Sequence, residues 1–281
     1  MDDYQEIEIR NFISSHVRLG LMYQYAKGVE KDYQKSVRWY QNAAKLNDPL
    51  GQTRLGLMVE FGKGIEKDEE AAVLCYQLAA DQSFAEAQFY LGLMYKMGKG
   101  IERNDEKAVF WFRKSAVQGF IWAQSNLGLM YELGRGIQKD YARAVKWYRD
   151  AAVQGYPYCQ LRLGVMYSHG KGVPRKYKVA LDWYKKAARQ DLPNAIVSLG
   201  YMYHAGKGTQ KDLNKAMYWY HRAAKMDYAI GQHNLGFIYL KGEGVSRDLS
   251  KAVYWFRKAA KAGSVKSRRI LIKLKEKGLI G

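Results

Sequence analysis

The sequence predicts an all-α solenoid: one domain, 1–281, of seven helical hairpins with a C-terminal capping helix. Three observations predict it. The pair Leu-Gly recurs at 19/20, 55/56, 91/92, 127/128, 163/164, 199/200 and 235/236, always 36 residues apart and with no insertion. Each period holds two stretches of helical periodicity. Glycines punctuate them at fixed places: the pair at 62/64 returns at 98/100, 134/136, 170/172, 206/208 and 242/244, with Ala26 and Gly28 in the first copy. A period of this length means stacked copies of one supersecondary unit rather than a single central core.

The third copy justifies each element in turn. Helix A is expected over 85–97, where Ala87, Leu91 and Tyr95 fall on one helical stripe. Gly98 and Gly100 end it, because glycine reaches positive φ without a Cβ penalty. Asn104 stands where an N-cap is needed, as Asp does in five other copies. Helix B follows over 105–117, burying Ala108, Trp111, Phe112, Ser115 and Ala116, and Gly119 closes the copy. The glycine inside helix A costs about 1 kcal/mol against alanine. Its return in every copy predicts a close helix approach there, which the alanine pairs on helix B would share. Tryptophan recurs at 39, 111, 147, 183, 219 and 255, with Cys75 in the empty slot. That strict period places Trp147, Tyr148 and their equivalents in the packing rather than in a base-stacking surface.

Composition narrows the class. At 48% hydrophobic the chain is not of disordered composition, and no apolar run reaches the roughly 18 residues that span a bilayer. The N-terminus, MDDYQEIEIRNF, is acidic and lacks an apolar core, so no signal peptide is expected. The default place is then the cytoplasm, with the periplasm or exterior following if a leader had been removed. Cys75 and Cys159 cannot build a disulfide framework and are expected as packing residues. The net charge is +19, and residues 175–281 carry 23 basic and 7 acidic side chains, a local excess of 16. That third should attract anionic surfaces.

The stretch AQFYLGLMYKMGKGIERNDEKAVFWFRKSAVQG resembles the Sel-one-like repeat, a relative of the tetratricopeptide repeat, and the likeness runs from about residue 14 to 265. The resemblance implies a right-handed α-α superhelix. It also implies an N-terminal cap at 1–12, repeats over 13–265, and a capping helix at 266–281, where Ile272 replaces the usual glycine.

The candidate sites follow from phase. A phosphate loop would need G-x-x-x-x-G-K-[ST] between a strand and a helix, and these glycines follow helices in every copy. The five histidines form no H-x-x-x-H pair or zinc spacing. His169, His204 and His233 lie on helices A of three successive copies, where a metal or acid/base site on one shared surface is the alternative to exposed groove histidines. No Ser/His/Asp order or carboxylate pair appears, so no enzyme, metal or cofactor is expected.

If helix A lines a concave side, as in the tetratricopeptide family, four offsets point into the groove. The offset of Ser14 gives Trp122 and Tyr158, and that of Val17 gives Phe89 and His233. The offset of Leu21 gives Leu93, Leu129, Tyr201 and Phe237, and that of Tyr25 gives Phe61, Met97, Leu133 and His169, with His204 beside them. Some of these could instead be tucked between neighbouring helices. Cations also recur. Lys63, Lys99, Arg135, Lys171 and Lys207 sit between turn glycines until Glu243 breaks the row. Lys139, Arg175, Lys211 and Arg247 belong to a second row before helix B. Repeats stacked about 10 Å apart would align them as a basic edge, or as a merely solvated face.

A repeat fold with a variable apolar groove predicts a non-enzymatic scaffold or adaptor holding a protein or peptide. Bacterial members of the resembled family act as such adaptors. Some are immunity proteins that neutralise lipase-type toxins of type VI secretion, so an acidic secreted toxin is one partner the resemblance implies. The alternative is a cationic module for nucleic acid, acidic lipid or acidic glycan through the basic third, although no nucleic-acid-binding motif accompanies the charge. Self-association through the groove or an end stays open.

Overall fold

The computed structural model describes residues 15–281; the expected N-terminal cap at 1–12 and the groove position Ser14 lie outside the described residues. By internal packing the chain divides into two compact units, 1–150 and 151–281, and each is described by itself. The first holds helices α1 (15–25), α2 (Tyr33–Lys45), α3 (Pro49–Phe61), α4 (Glu69–Asp81), α5 (Ala85–Met97), α6 (Asp105–Val117) and α7 (Ile121–Leu133), and most of α8 (Tyr141–Val153), whose last residues fall in the second. The second holds α9 (Pro157–His169), α10 (Tyr177–Ala188), α11 (Pro193–Ala205), α12 (Leu213–Lys225), α13 (Ala229–Lys241), α14 (Leu249–Lys261) and α15 (Val265–Glu276). Odd helices are the A helices and even ones the B helices of an all-α solenoid, and no strand occurs among the described residues. No described helix is long and apolar enough to cross a membrane.

Helices A and B of the third copy span the expected 85–97 and 105–117. The Asn104 side chain accepts from the amide of Lys107 at 2.8 Å. Lys176, the one residue of that series without a capping oxygen, precedes α10 with no side-chain cap. The helices A from α3 to α13 end on a left-handed glycine, as at Gly98 (φ 68°), and α1 on Ala26 at φ 54°.

The glycine inside helix A has the reason its cost demanded. A Cβ on Gly128 would stand 2.8 Å from the Tyr148 ring, and one on Gly92 2.7 Å from the Phe112 ring. The ring of helix B therefore lies against the bare backbone of helix A. These rings, Tyr40, Tyr76, Phe112, Tyr148, Tyr184, Tyr220 and Phe256, are all buried. The tryptophan just before each (Cys75 before Tyr76) is half-buried, except Trp111, which is buried. The periodic aromatics are thus core as expected, but the residue after the tryptophan fills it. Cys159 is buried, and half-buried Cys75 has its thiol pushed above the ordinary range by desolvation.

Two polar networks were missed in the sequence. The phenol on helix B reaches back 16 residues to helix A. Tyr76 donates to Glu60 at 2.8 Å, Tyr148 to Glu132 at 2.8 Å and Tyr40 to Gln24 at 2.6 Å. Burial, and then the Glu60 carboxylate, push the Tyr76 hydroxyl far above its ordinary range, so it stays a donor. Where helix B carries Phe112 or Phe256, helix A offers Lys96 or Leu240 instead of an acceptor. The second network is a glutamine ladder. Gln82 donates to Gln52, Gln118 to Gln88 and Gln190 to Gln160, each at 2.9 Å. At the next rung both partners are apolar, Ile196 and Met226.

The last rung is half built. Buried Gln232 has an oxygen with no partner among the described residues, because Ala262 replaces the glutamine that would donate to it. Ala262 has φ −79° and ψ 13°, against −78° and 11° at Gln82, so the backbone already suits a donor. Ala262→Gln is therefore expected to stabilise the fold by about 1 kcal/mol. Urea denaturation checks it, and an unchanged or lowered midpoint would show that the oxygen is satisfied otherwise.

Candidate partner-binding surface

In the first unit the last residue of each helix A precedes the left-handed turn and projects outward. Tyr25, Phe61, Met97 and Leu133 are 59%, 57%, 47% and 52% exposed, one uninterrupted apolar row. Leu93 and Leu129, one turn earlier, are half-buried beside it. Trp122 is 48% exposed and stands edge-on to Phe120 at 5.2 Å. Phe89 is a correction. It is only 7% exposed, held by Phe112 at 5.9 Å and Phe120 at 5.3 Å, with Trp122 at 6.2 Å above it. Its whole offset in this unit, from Val17 through Thr53 to Ser125, is buried, because the next hairpin covers that side of helix A. Phe89 is a support for Trp122, not a surface.

In the second unit the outer row changes chemistry to His169, Ala205 and Lys241. Tyr201 and Phe237 are exposed and Tyr158 is half-buried near Tyr156. The three histidines stand in three different settings. His169 is exposed, with Nδ1 2.9 Å from Ser168 Oγ. His204 Nε2 meets Glu243 at 2.6 Å, which explains why an acid interrupts the basic row. His233 Nδ1 contacts Ser267 Oγ at 2.8 Å, and its ring lies 5.7 Å from Phe256. Among the described residues no three metal-type side chains come together.

Burial first, and then Lys266, hold the His233 imidazole below histidine's usual range; burial and Lys225 do the same for His221. Between the folded value and the ordinary one near 6.5 the unfolded chain binds more protons, so stability is whole above that pH and falls as pH drops through it. The melting temperature is expected to decline from about pH 6.5 downward, before the carboxylates titrate. The His221→Gln/His233→Gln variant should flatten that decline; an identical profile would assign it to other groups.

The basic edge is uneven. In the first unit much of it is neutralised. Lys99 pairs with buried Glu60 at 3.5 Å, Arg135 with Asp105 at 3.2 Å, Arg103 with Asp105 at 3.0 Å and Lys67 with Glu69 at 2.8 Å. Burial alone would raise the Asp105 carboxyl, but hydrogen bonds from Arg103 and Arg135 hold it below its ordinary range. Lys63 lies over Phe61 at 5.6 Å and Lys139 over Tyr141 at 4.9 Å. In the second unit Lys171, Lys211 and Arg247 are exposed. Arg175 and Lys207 share one ring, Tyr177, at 5.6 and 5.4 Å, and Lys207 also donates to the Tyr201 hydroxyl at 3.0 Å. They border a cavity of about 510 Å³ lined further by Val165, Ser168, His169, Tyr184, Val197, Ser198, Met202 and Asn234. Groove and edge residues meet in this cavity.

The family model of the Sel1 repeat matches seven times, at 13–48, 49–84, 85–120, 123–156, 157–192, 193–228 and 229–264. The chain belongs to the Sel1 repeat family. Each Sel1 repeat is one helix A with its helix B. Among solved structures the chain is similar to a protective antigen of uropathogenic Escherichia coli with an SLR fold, at 34% identity and a TM-score of 0.85, over 92% of this chain and 56% of that one. The chain thus spans little more than half of that antigen's length. It is also similar to a Sel1 repeat protein of Oxalobacter formigenes, at 32% identity and a TM-score of 0.76, over 87% of this chain and 96% of that one. A comparison with the curated proteins gave no match. Sel1 repeat proteins are generally non-catalytic protein-interaction scaffolds. Within these repeats the recurring residues make the interior, and the residues that vary at the helix A ends face outward.

Proposed function

We propose that the helix A surface of these Sel1 repeats captures a protein partner through the apolar row of the first unit. The carrying observation is that Tyr25, Phe61, Met97 and Leu133 keep large apolar side chains about half exposed at one phase without interruption. Exposed apolar area of that continuity marks interaction sites, and buried aromatic anchors dominate their energy. Helix B also exposes Leu74 and Phe110, but its phase is broken by Arg38 and Lys146, so it offers no continuous strip. Trp122 adds an aromatic anchor whose position Phe89 and Phe120 fix.

The test compares affinity capture by the wild type, by Phe61→Ser/Met97→Ser/Leu133→Ser/Trp122→Ala, and by Leu74→Ser/Phe110→Ser. The first variant should lose the partner identified by mass spectrometry while keeping the helical melt, and the second should retain it. Loss in the second alone would move the binding face to helix B. A narrower reading, an immunity protein covering the active-site mouth of a secreted lipase-type toxin, rests on the family resemblance alone. Co-expression with a toxin encoded beside it tests this reading, and absence of both rescue and binding would remove it. We also take the seven repeats to act as one repeat domain.

A further inference from the structure

We propose that the Arg175–Tyr177–Lys207 site reads a carboxylate side chain, Asp or Glu, on a protein partner. This deepens the scaffold reading and rests on it for the partner being a protein.

The protein contains its own template for such a contact. A cation two residues before helix B, the first residue of helix B, and the cation between the next turn glycines come together in repeated sets. In the first unit the middle residue of two sets is an acid. Asp105 takes the Arg103 guanidinium at 3.0 Å and the Arg135 guanidinium through Nε at 3.2 Å and a second nitrogen at 3.4 Å. Glu69 takes Lys67 at 2.8 Å. At the equivalent place in the second unit the middle residue is Tyr177. Its ring attracts both cations through its π face but supplies no counter-charge. The cation pair is kept while its internal carboxylate is missing.

The surroundings suit a guest that brings the carboxylate. The pair borders the cavity of about 510 Å³, whose lining includes the hydroxyl-bearing residues Ser168, Tyr184, Ser198 and Tyr201. Partial enclosure strengthens a charge-assisted hydrogen bond relative to an open surface. The Lys31–Tyr33–Lys63 set repeats the chemistry in the first unit, but there Lys31 and Lys63 are both exposed and Lys63 leans on Phe61. It serves as the matched control of equal charge.

The probe is a fluorescein-labelled hexaglutamate peptide, titrated by anisotropy at low salt, beside a hexaphosphoserine peptide and single-stranded dT20. Hexaglutamate binding should weaken about ten-fold or more in Arg175→Gln/Lys207→Gln and no more than about two-fold in Lys31→Gln/Lys63→Gln. Tyr177→Asp should also lose it, by restoring the internal carboxylate, and Tyr177→Phe should keep it. Equal weakening in both charge-matched doubles would show only a general field and overturn the site. Tighter binding of the phosphopeptide or dT20 would overturn the carboxylate assignment in favour of phosphate. Tyr177→Asp also removes packing, so the double Gln variant decides the matter should it melt early. The Phe61/Met97/Leu133/Trp122 variant should bind hexaglutamate normally, so failure of the apolar row and failure of this site read out separately.

Discussion

Gly136→Ala is expected to destabilise the protein by on the order of 2–5 kcal/mol. The residue sits in the turn between helices A and B with φ 63°, where an L side chain costs about 1–2 kcal/mol. The larger part comes from where the turn lies. An added Cβ would stand 2.1 Å from the Asp105 carbonyl oxygen and 2.2 Å from its carbon. That backbone begins α6 and is fixed from several sides. Asn104 caps it through the Lys107 amide, and the Asp105 carboxylate is held by Arg103 and by Arg135, the residue just before the glycine. Neither side can yield without breaking the other, so overpacking adds about 1–3 kcal/mol. Gly119→Ala is the control. Its φ is 89°, yet nothing lies within 4 Å of an added Cβ, so only the backbone term applies. Urea denaturation of both variants separates the terms; losses within about 1 kcal/mol of each other would show that the turn does not press on α6.

Phe89→Ala should cost about 3–5 kcal/mol, and Trp122→Ala only about 1 kcal/mol. Both rings belong to one aromatic cluster, and both sit on helices A at positions that a groove argument would choose. Phe89 is enclosed by Phe112 and Phe120, so truncation leaves a cavity that the close-packed rings cannot fill. Trp122 has half its surface in water and loses mainly its contact with Phe120. Partner capture should follow the opposite order, with Trp122→Ala losing the partner for only that small loss of stability. Equal destabilisation by the two variants would mean that Trp122 belongs to the packing, and the aromatic anchor of the proposed surface would fall with it.

Much of the architecture was legible because it is local. The limits of α5 and α6, the cap at Asn104 and the left-handed Gly98 depend on residues within a few positions of one another, and propensity and capping chemistry act at that range. The glycine inside helix A could be read as a close approach, since a repeated cost needs a repeated return. What it approaches could not be read. Helical phase gave Trp147 and Tyr148 nearly equal claims on the core, and the rotation of helix B about its axis put the Tyr148 ring against Gly128.

The candidate surface was legible in part for the same reason. Phase alone tells which side of helix A a residue occupies, so it set Phe61, Met97 and Leu133 in one row, all of which the fold leaves about half exposed. It cannot tell how far the next hairpin reaches across that side, and that reach buries Phe89 while leaving Trp122 half exposed. Likewise the cations were visible as rows, but for those between the turn glycines neutralisation depends on a residue 30 or more positions earlier. Asp105 meets Arg135 and Tyr177 meets Lys207 only because stacked hairpins bring those loops together. The sequence by itself determined the period, the helices, their caps and the family, all set by contacts within one repeat. The tertiary structure decided which periodic residues are covered and which charges are compensated, because those depend on how one repeat is rotated against the next, a quantity no single repeat encodes.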